Sequence, residues 1–270
     1  MASSTGDGDR NGRRRRGLLA LGVALARGGV MSKVGFGIAG LTVFLAITIP
    51  IALSRDDAQT PLAVVPAVGA SALAWGAGVI LAFAGAAHAL RRDHDEGIRA
   101  LLAARGANPD RYVWGRVGGL ALLLALVVGG GTLVIGAVSM LSARGGGLAL
   151  DTAQGTLASV VYAIAFALGL APLSRAALGA RSRMGGYAWL LALLFLPEMF
   201  EGVTASLVPR TWHDVVSIPA ALASLRGALM PAHLDPMRLA RSLIVLSFVA
   251  VFCMLIVLQQ TDRVDAEKPS

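Results

Sequence analysis

Apolar runs of about twenty residues, each ended by a short interval carrying Arg, constrain this chain more than any other feature. A helical run of that length matches the hydrocarbon thickness of a bilayer. In lipid the backbone must satisfy its own hydrogen bonds within the segment, so such runs fold as helices. Hydrophobic residues make up 56% of the 270 positions and charged residues 15%, with a mean hydropathy of +0.69, which is more apolar than an ordinary soluble domain. The expected fold class is all-α: a polytopic membrane protein built as a six-span helical bundle, with the lipid bilayer as its main partner. The formal charge of +8 would suit nucleic acid. Yet Arg is gathered between apolar runs, and no basic groove interleaved with aromatics is present, so nucleic acid is not an expected partner. The single Cys253 lies inside an apolar run, which rules out an intramolecular disulfide and a CxxC metal site.

Read in order, residues 1–16 form a Ser/Gly/Asp/Arg tail too polar to fold, and residues 17–33 an interfacial helix. Gly17 to Ala26, ending Ala24-Leu25-Ala26, also fits a secretory signal. That alternative is disfavoured because cleavage would put the Arg-rich intervals outside. The membrane domain is expected over 34–260, with spans at 34–53, 64–90, 117–141, 156–173, 187–208 and 242–258, followed by a polar tail over 261–270. The intervals 142–155 and 174–186 read as an outer loop and an Arg-bearing inner turn. Ala70, Ala74, Gly78, Ala82 and Ala86 recur every four residues, a small-residue stripe that lets another helix approach closely. Gly129, Gly130 and Gly131 weaken the helix in the third span and favour a bend or close approach. The connection 209–241 reads as one or two short re-entrant or surface helices, because Arg226 would cost roughly 2.5–3.5 kcal/mol at the centre of a true span. Most of the 24 Lys and Arg fall on one side when both termini are cytosolic, which sets the orientation. Arg238 and Arg241 stand on the other side and count against this placement, with a flipped last span as the less favoured alternative.

The polar interval 91–116 is too charged to enter a bilayer and reads as a cytosolic helical elbow. The acids Asp93, Asp95 and Glu96 open a helix whose Ile98, Leu101, Leu102 and Arg105 share a face, and Gly106 ends it. Asn108-Pro109-Asp110 supplies a cap, a proline at the first helical position and a first-turn acid, so a second helix starts there and runs into the next span. His94 among its acids is read as part of a solvated helix start rather than a metal site.

Asp95-Glu96-Gly97-Ile98-Arg99-Ala100-Leu101-Leu102, with Arg105, Arg111-Tyr112-Val113 and Gly115-Arg116, resembles the motif that follows the second span in type-2 ABC exporter permeases. The outline over residues 17–260 is similar too: six spans, cytosolic ends, an interfacial N-terminal helix and a long outer connection before the last span. The sequence departs from the pattern at Ile98, Gly106 and Arg116, where threonine, proline and lysine are common. The resemblance implies that Glu96, Gly97, Ile98, Arg99, Leu101, Leu102, Arg105 and Arg111 form a coupling helix docking on a separate cytosolic ABC ATPase. It implies a homodimer or a sister permease, a place in a bacterial inner membrane, and no catalysis or cofactor in this chain, with ATP and Mg held by the partner. Consistently, no GxxxxGK[ST] phosphate loop occurs, and the lysines are Lys33 and Lys268.

Inside the membrane the candidate chemistry is Pro197-Glu198-Met199-Phe200-Glu201. Two carboxylates three residues apart share a helix face, and Pro197 should kink the helix beside them. They read either as a polar lining or gate of a transport path, or as side chains hydrogen-bonded to neighbouring helices. Two alternatives of other classes stand beside the permease: an intramembrane enzyme using Glu198, Glu201 and His213, which lacks any GxSxG or HExxH motif, and a non-transporting scaffold.

Overall fold

The computed structural model of the chain describes residues 64–86, 109–142, 146–178, 183–230 and 234–266, with single positions between 37 and 48 and between 93 and 104. The described residues are helical apart from short turns, with no strand. The N-terminal tail, the interfacial helix and the first expected span lie outside them, except that Gly37, Gly40, Val43, Phe44 and Thr48 are helical.

Helix α1 (Val65–Ala72) passes through a π-helical stretch (Leu73–Gly78) into α2 (Val79–Ala86). Helix α3 (Pro109–Leu124) passes through a second one (Ala125–Gly129) into α4 (Gly130–Ser142). Then come α5 (Gly146–Leu178), α6 (Arg183–Met199), α7 (Glu201–Leu207), a 3-10 turn (Arg210–Val215), α8 (Ile218–Ala228) and α9 (Pro236–Ala266). Among the described residues, four helices are long and apolar enough to cross a bilayer: Val65–Ala86, Arg111–Leu141, Ala149–Leu178 and Pro236–Gln260. Their contacts alternate in direction. Leu73 meets Gly131 and Gly78 meets Val128, so α1–α2 runs antiparallel to α3–α4, and Gly136 against Thr156 sets α4 antiparallel to α5. Phe83 stacks edge-on against Tyr187, and Trp75 tilts against Phe195, which places α6 antiparallel to α1–α2.

The hub is α5, which packs against α1 to α4, α6, α8 and α9. Its Phe166 is buried, with the Trp75 ring edge-on at 5.5 Å and Tyr162 at 6.5 Å. The small-residue stripe faces this hub as expected: Ala70, Ala74, Gly78, Ala82 and Ala86 are all buried. A Cβ on Gly78 would sit 2.7 Å from Phe166, and one on Gly131 would sit 2.7 Å from Leu73. The close approach expected of the glycine run is therefore present.

Several expected boundaries move. The loop over 142–155 is short, because α5 begins at Gly146. Its C-terminal carbonyls are used within the helix: Thr152 and Gly155 accept from the hydroxyls of Thr156 and Ser159, both at 2.7 Å. At the other end Arg175 belongs to α5 and is buried rather than lying in a turn. The expected span over 187–208 is a shorter helix, α6, interrupted at Phe200 (φ −107°, ψ 29°) before α7. Pro197 stays inside α6, so the break falls three residues beyond it. The last helix starts at Pro236, where Asp235 Oδ1 accepts from the amides of Met237 and Arg238 (both 3.1 Å). The helix expected from Asn108-Pro109-Asp110 does start at Pro109 and run on into the span. The connection over 209–241 does contain two short helical pieces.

Candidate functional site: the elbow and its anchorage

Gly97 has φ +65°, a left-handed conformation that side-chain-bearing residues rarely adopt, so the chain turns there. Helix resumes at Ile98, and the amide of Leu101 donates to the carbonyl of Gly97 at 3.0 Å. Glu96 is exposed, Ile98 is half-buried, and Leu101 is 63% exposed, a large apolar side chain held away from the bundle. Arg111 is exposed on the first turn of α3. Arg99, Leu102 and Arg105, which the resemblance also assigns to coupling, lie outside the described residues.

Asp93 corrects the reading of these acids as a solvated helix start: it is fully buried. Arg116 donates to it through both arms of its guanidinium, Nε to Oδ2 at 3.1 Å and Nη2 to Oδ1 at 2.7 Å, the two-pronged geometry that makes such pairs strong. Arg175 of α5 brings its Nη2 to 3.6 Å from Oδ2. All three side chains are at most 4% exposed, so one carboxylate is shared by two guanidiniums away from water. Tyr112 is buried beside them, with no hydrogen-bond partner for its hydroxyl among the described residues. The elbow is thereby fastened to α3 and to the end of the hub helix.

At the opposite end of α1 and α5 a second polar group of residues holds the short helices. Arg226 reaches from α8 to the carbonyl of Ala67 (2.7 Å) and to Ser71 Oγ (2.6 Å), and lies over the Tyr162 ring at 5.0 Å. These contacts, with a half-buried guanidinium, compensate the cost expected of this residue in an apolar setting. Asp214 pairs with Arg238 and Arg241, both at 3.3 Å, and accepts from Ser224 at 3.1 Å. Glu198 is exposed and accepts from Ser217 Oγ at 2.7 Å; the same hydroxyl accepts from the Ala220 amide at 3.0 Å and caps α8. Ser217→Ala removes both bonds and should lower stability by about 0.5–2 kcal/mol, read as a lower apparent Tm in detergent.

Pro197 is half-buried in α6, and Glu201 opens α7. His213 bonds through Nε2 to the carbonyl of Val208 at 2.9 Å, so its ring is engaged by backbone. An apolar cavity among the first π-helical stretch, α5, α6, α8 and α9 is lined by residues including Trp75, Phe166, Leu194, Ile218, Leu222 and Leu246, and Glu198 is not part of that lining. No group of three or more His, Cys, Asp or Glu able to hold a metal occurs among the described residues.

The buried ion cluster escaped the sequence reading because its members are 23 and 59 positions apart (93 to 116 and 116 to 175) and no local pattern links them. The one available signal was an Arg inside the apolar flank Leu173-Ser174-Arg175-Ala176.

Comparison with family models, with curated proteins and with solved structures finds no match. The fold and its apolar helices define a class: a helical, multi-pass membrane protein.

Proposed function

We propose that this chain is the membrane-spanning permease subunit of an ATP-driven ABC transporter, an exporter, which couples ATP hydrolysis on a separate cytosolic subunit to translocation. The observation that carries the reading is the elbow. A glycine turn at Gly97 presents Leu101 to solvent, while Asp93, four residues before that turn, is anchored to the span bundle by the Arg116 fork, with Arg175 3.6 Å away. An exposed apolar residue a few positions from an anchored carboxylate suits docking into a slot on a partner. The resemblance assigns the charged residues Glu96, Arg99, Arg105 and Arg111 to the same docking segment. In this mechanism nucleotide-driven closure of two ATPase copies pushes the elbows of a homodimer or a sister pair, and the spans rock between inward- and outward-open states. Glu198 and Glu201, with Pro197, are the proposed polar lining or gate of the path on the far side.

The test is the double substitution Leu101→Asp with Leu102→Asp. The protein should insert and fold normally while co-purification of the ATPase falls at least about tenfold, the effect of losing roughly 1.4 kcal/mol or more of docking energy. Undiminished co-purification and ATP-driven turnover would sink the coupling role.

A further inference from the structure

The ion cluster is unevenly matched. A carboxylate offers about four acceptor positions, and the Arg116 fork occupies one on each oxygen. Arg175 is 3% exposed, yet its Nε and Nη2 have no hydrogen-bond partner among the described residues, and its nearest approach to Asp93 is 3.6 Å. A buried cation with unmet donors therefore sits just beyond bonding distance of a carboxylate that still has acceptor capacity. Closing that gap to an ordinary N–H···O distance takes less than ~1 Å of movement. That movement would take the cluster from Asp93 hydrogen-bonded by Arg116 alone to Asp93 hydrogen-bonded by Arg175 as well. The position of the elbow decides between them, because Asp93 belongs to the elbow while Arg175 belongs to α5. Movement of α5 is not local, since this helix packs against nearly every other described element. Beside Arg175, the carbonyl of Ala176 accepts from Gln260 Nε2 at 3.0 Å, tying α9 to the same turn.

We infer that Asp93 and Arg175 are positioning residues that carry elbow displacement into the bundle: Asp93 moves with the elbow, engages Arg175, and draws the end of α5, with α9 attached, to a second position. The inference rests on the coupling reading above and names the residues through which coupling passes.

The experiment uses the full chain, with its co-purifying ATPase, in lipid nanodiscs. Spin labels replace Leu141 and Leu157, both exposed, on the parts of α4 and α5 remote from the cluster, in a Cys253→Ala background. In this background, ATP with vanadate shifts the interlabel distance. Arg175→Gln keeps the ATPase bound but reduces that shift at least about threefold, and Arg175→Lys, which retains the charge, restores most of it. Should the glutamine variant not fold, Arg175→Met serves in its place, being uncharged and of similar volume. A full shift in the uncharged variant overturns the relay while leaving the coupling reading intact. A chain without Arg175 substitutions that binds no ATPase, or shows no nucleotide-dependent shift, overturns the coupling reading and the relay with it.

Discussion

Asp93→Ala is expected to destabilise the folded chain by about 3–5 kcal/mol, the range for removing one partner from a buried ion pair. The lost bonds are a minor part of this. Arg116 and Arg175 remain buried, at 6% and 3% exposure, with no counter-ion in reach among the described partners, and a desolvated guanidinium cannot relieve its charge by losing a proton at neutral pH. The size of the effect differs among the other members. Arg116→Met should also be costly, since Asp93 loses its two short bonds and keeps a single distant cation. Arg175→Met should be mild, because it removes the excess positive charge. Replacing the whole cluster, with Asp93→Leu, Arg116→Met and Arg175→Met, should recover near-original stability, because the desolvation cost disappears along with the pairing. Reversible unfolding in mixed detergent micelles measures all four. A loss below about 1 kcal/mol in Asp93→Ala would mean that the cluster is hydrated, as exposed pairs are. Stability and coupling then separate cleanly: the triple variant should fold well and transmit nothing from the elbow.

What the sequence discloses here is what short-range chemistry controls. Apolar runs specify helices that must satisfy their own backbone, and the four-residue stripe of small side chains marks the face turned to the hub. Asn108-Pro109 was readable as a helix start, and Asp235-Pro236 obeys the same rule, although the apolarity of 242–258 drew attention away from it. Polarity misled in two places. The Asp151 to Thr156 stretch looks like a loop, yet its hydroxyls bond back to their own helix and the backbone continues. Asp93 looks like a solvated helix start, yet two arginines from distant helices bury it. Which acid of a run turns inward depends on contacts made by residues far along the chain, so local pattern has no means of choosing Asp93 over Asp95 or Glu96. For the elbow, the leucine facing away from the bundle was legible, and neither the turn at Gly97 nor the fastening was. For Glu198, its position on α6 was legible and its Ser217 partner was not, because that partner arrives only when α8 folds back against α6.

A large packing effect is expected at Gly78. Gly78→Leu should cost at the upper end of the roughly 1–3 kcal/mol range for over-packing, and more than Gly131→Leu. A Cβ meets its nearest neighbour at 2.7 Å in both cases, so distance alone does not separate them. The neighbours do. Gly131 faces the terminal methyl of Leu73, a side chain with other rotamers available. Gly78 faces the edge of the Phe166 ring, which is held between Trp75 and Tyr162 and is 2% exposed, and the added Cβ would also meet Val128 at 3.3 Å. A ring so confined moves only if α5 moves, and α5 carries the contacts of most of the fold. The two glycines also bracket the paired π-helical stretches, Gly78 ending the first and Gly131 following the second, so a bulky side chain at either position forces apart segments that touch. Any helix-propensity gain from replacing glycine, at most about 1 kcal/mol, is too small to offset the clash at Gly78 and is comparable to the strain expected at Gly131. Equal losses at the two positions, measured by unfolding in mixed micelles, would show that Phe166 yields as easily as Leu73 and that α5 is not the rigid centre of the bundle.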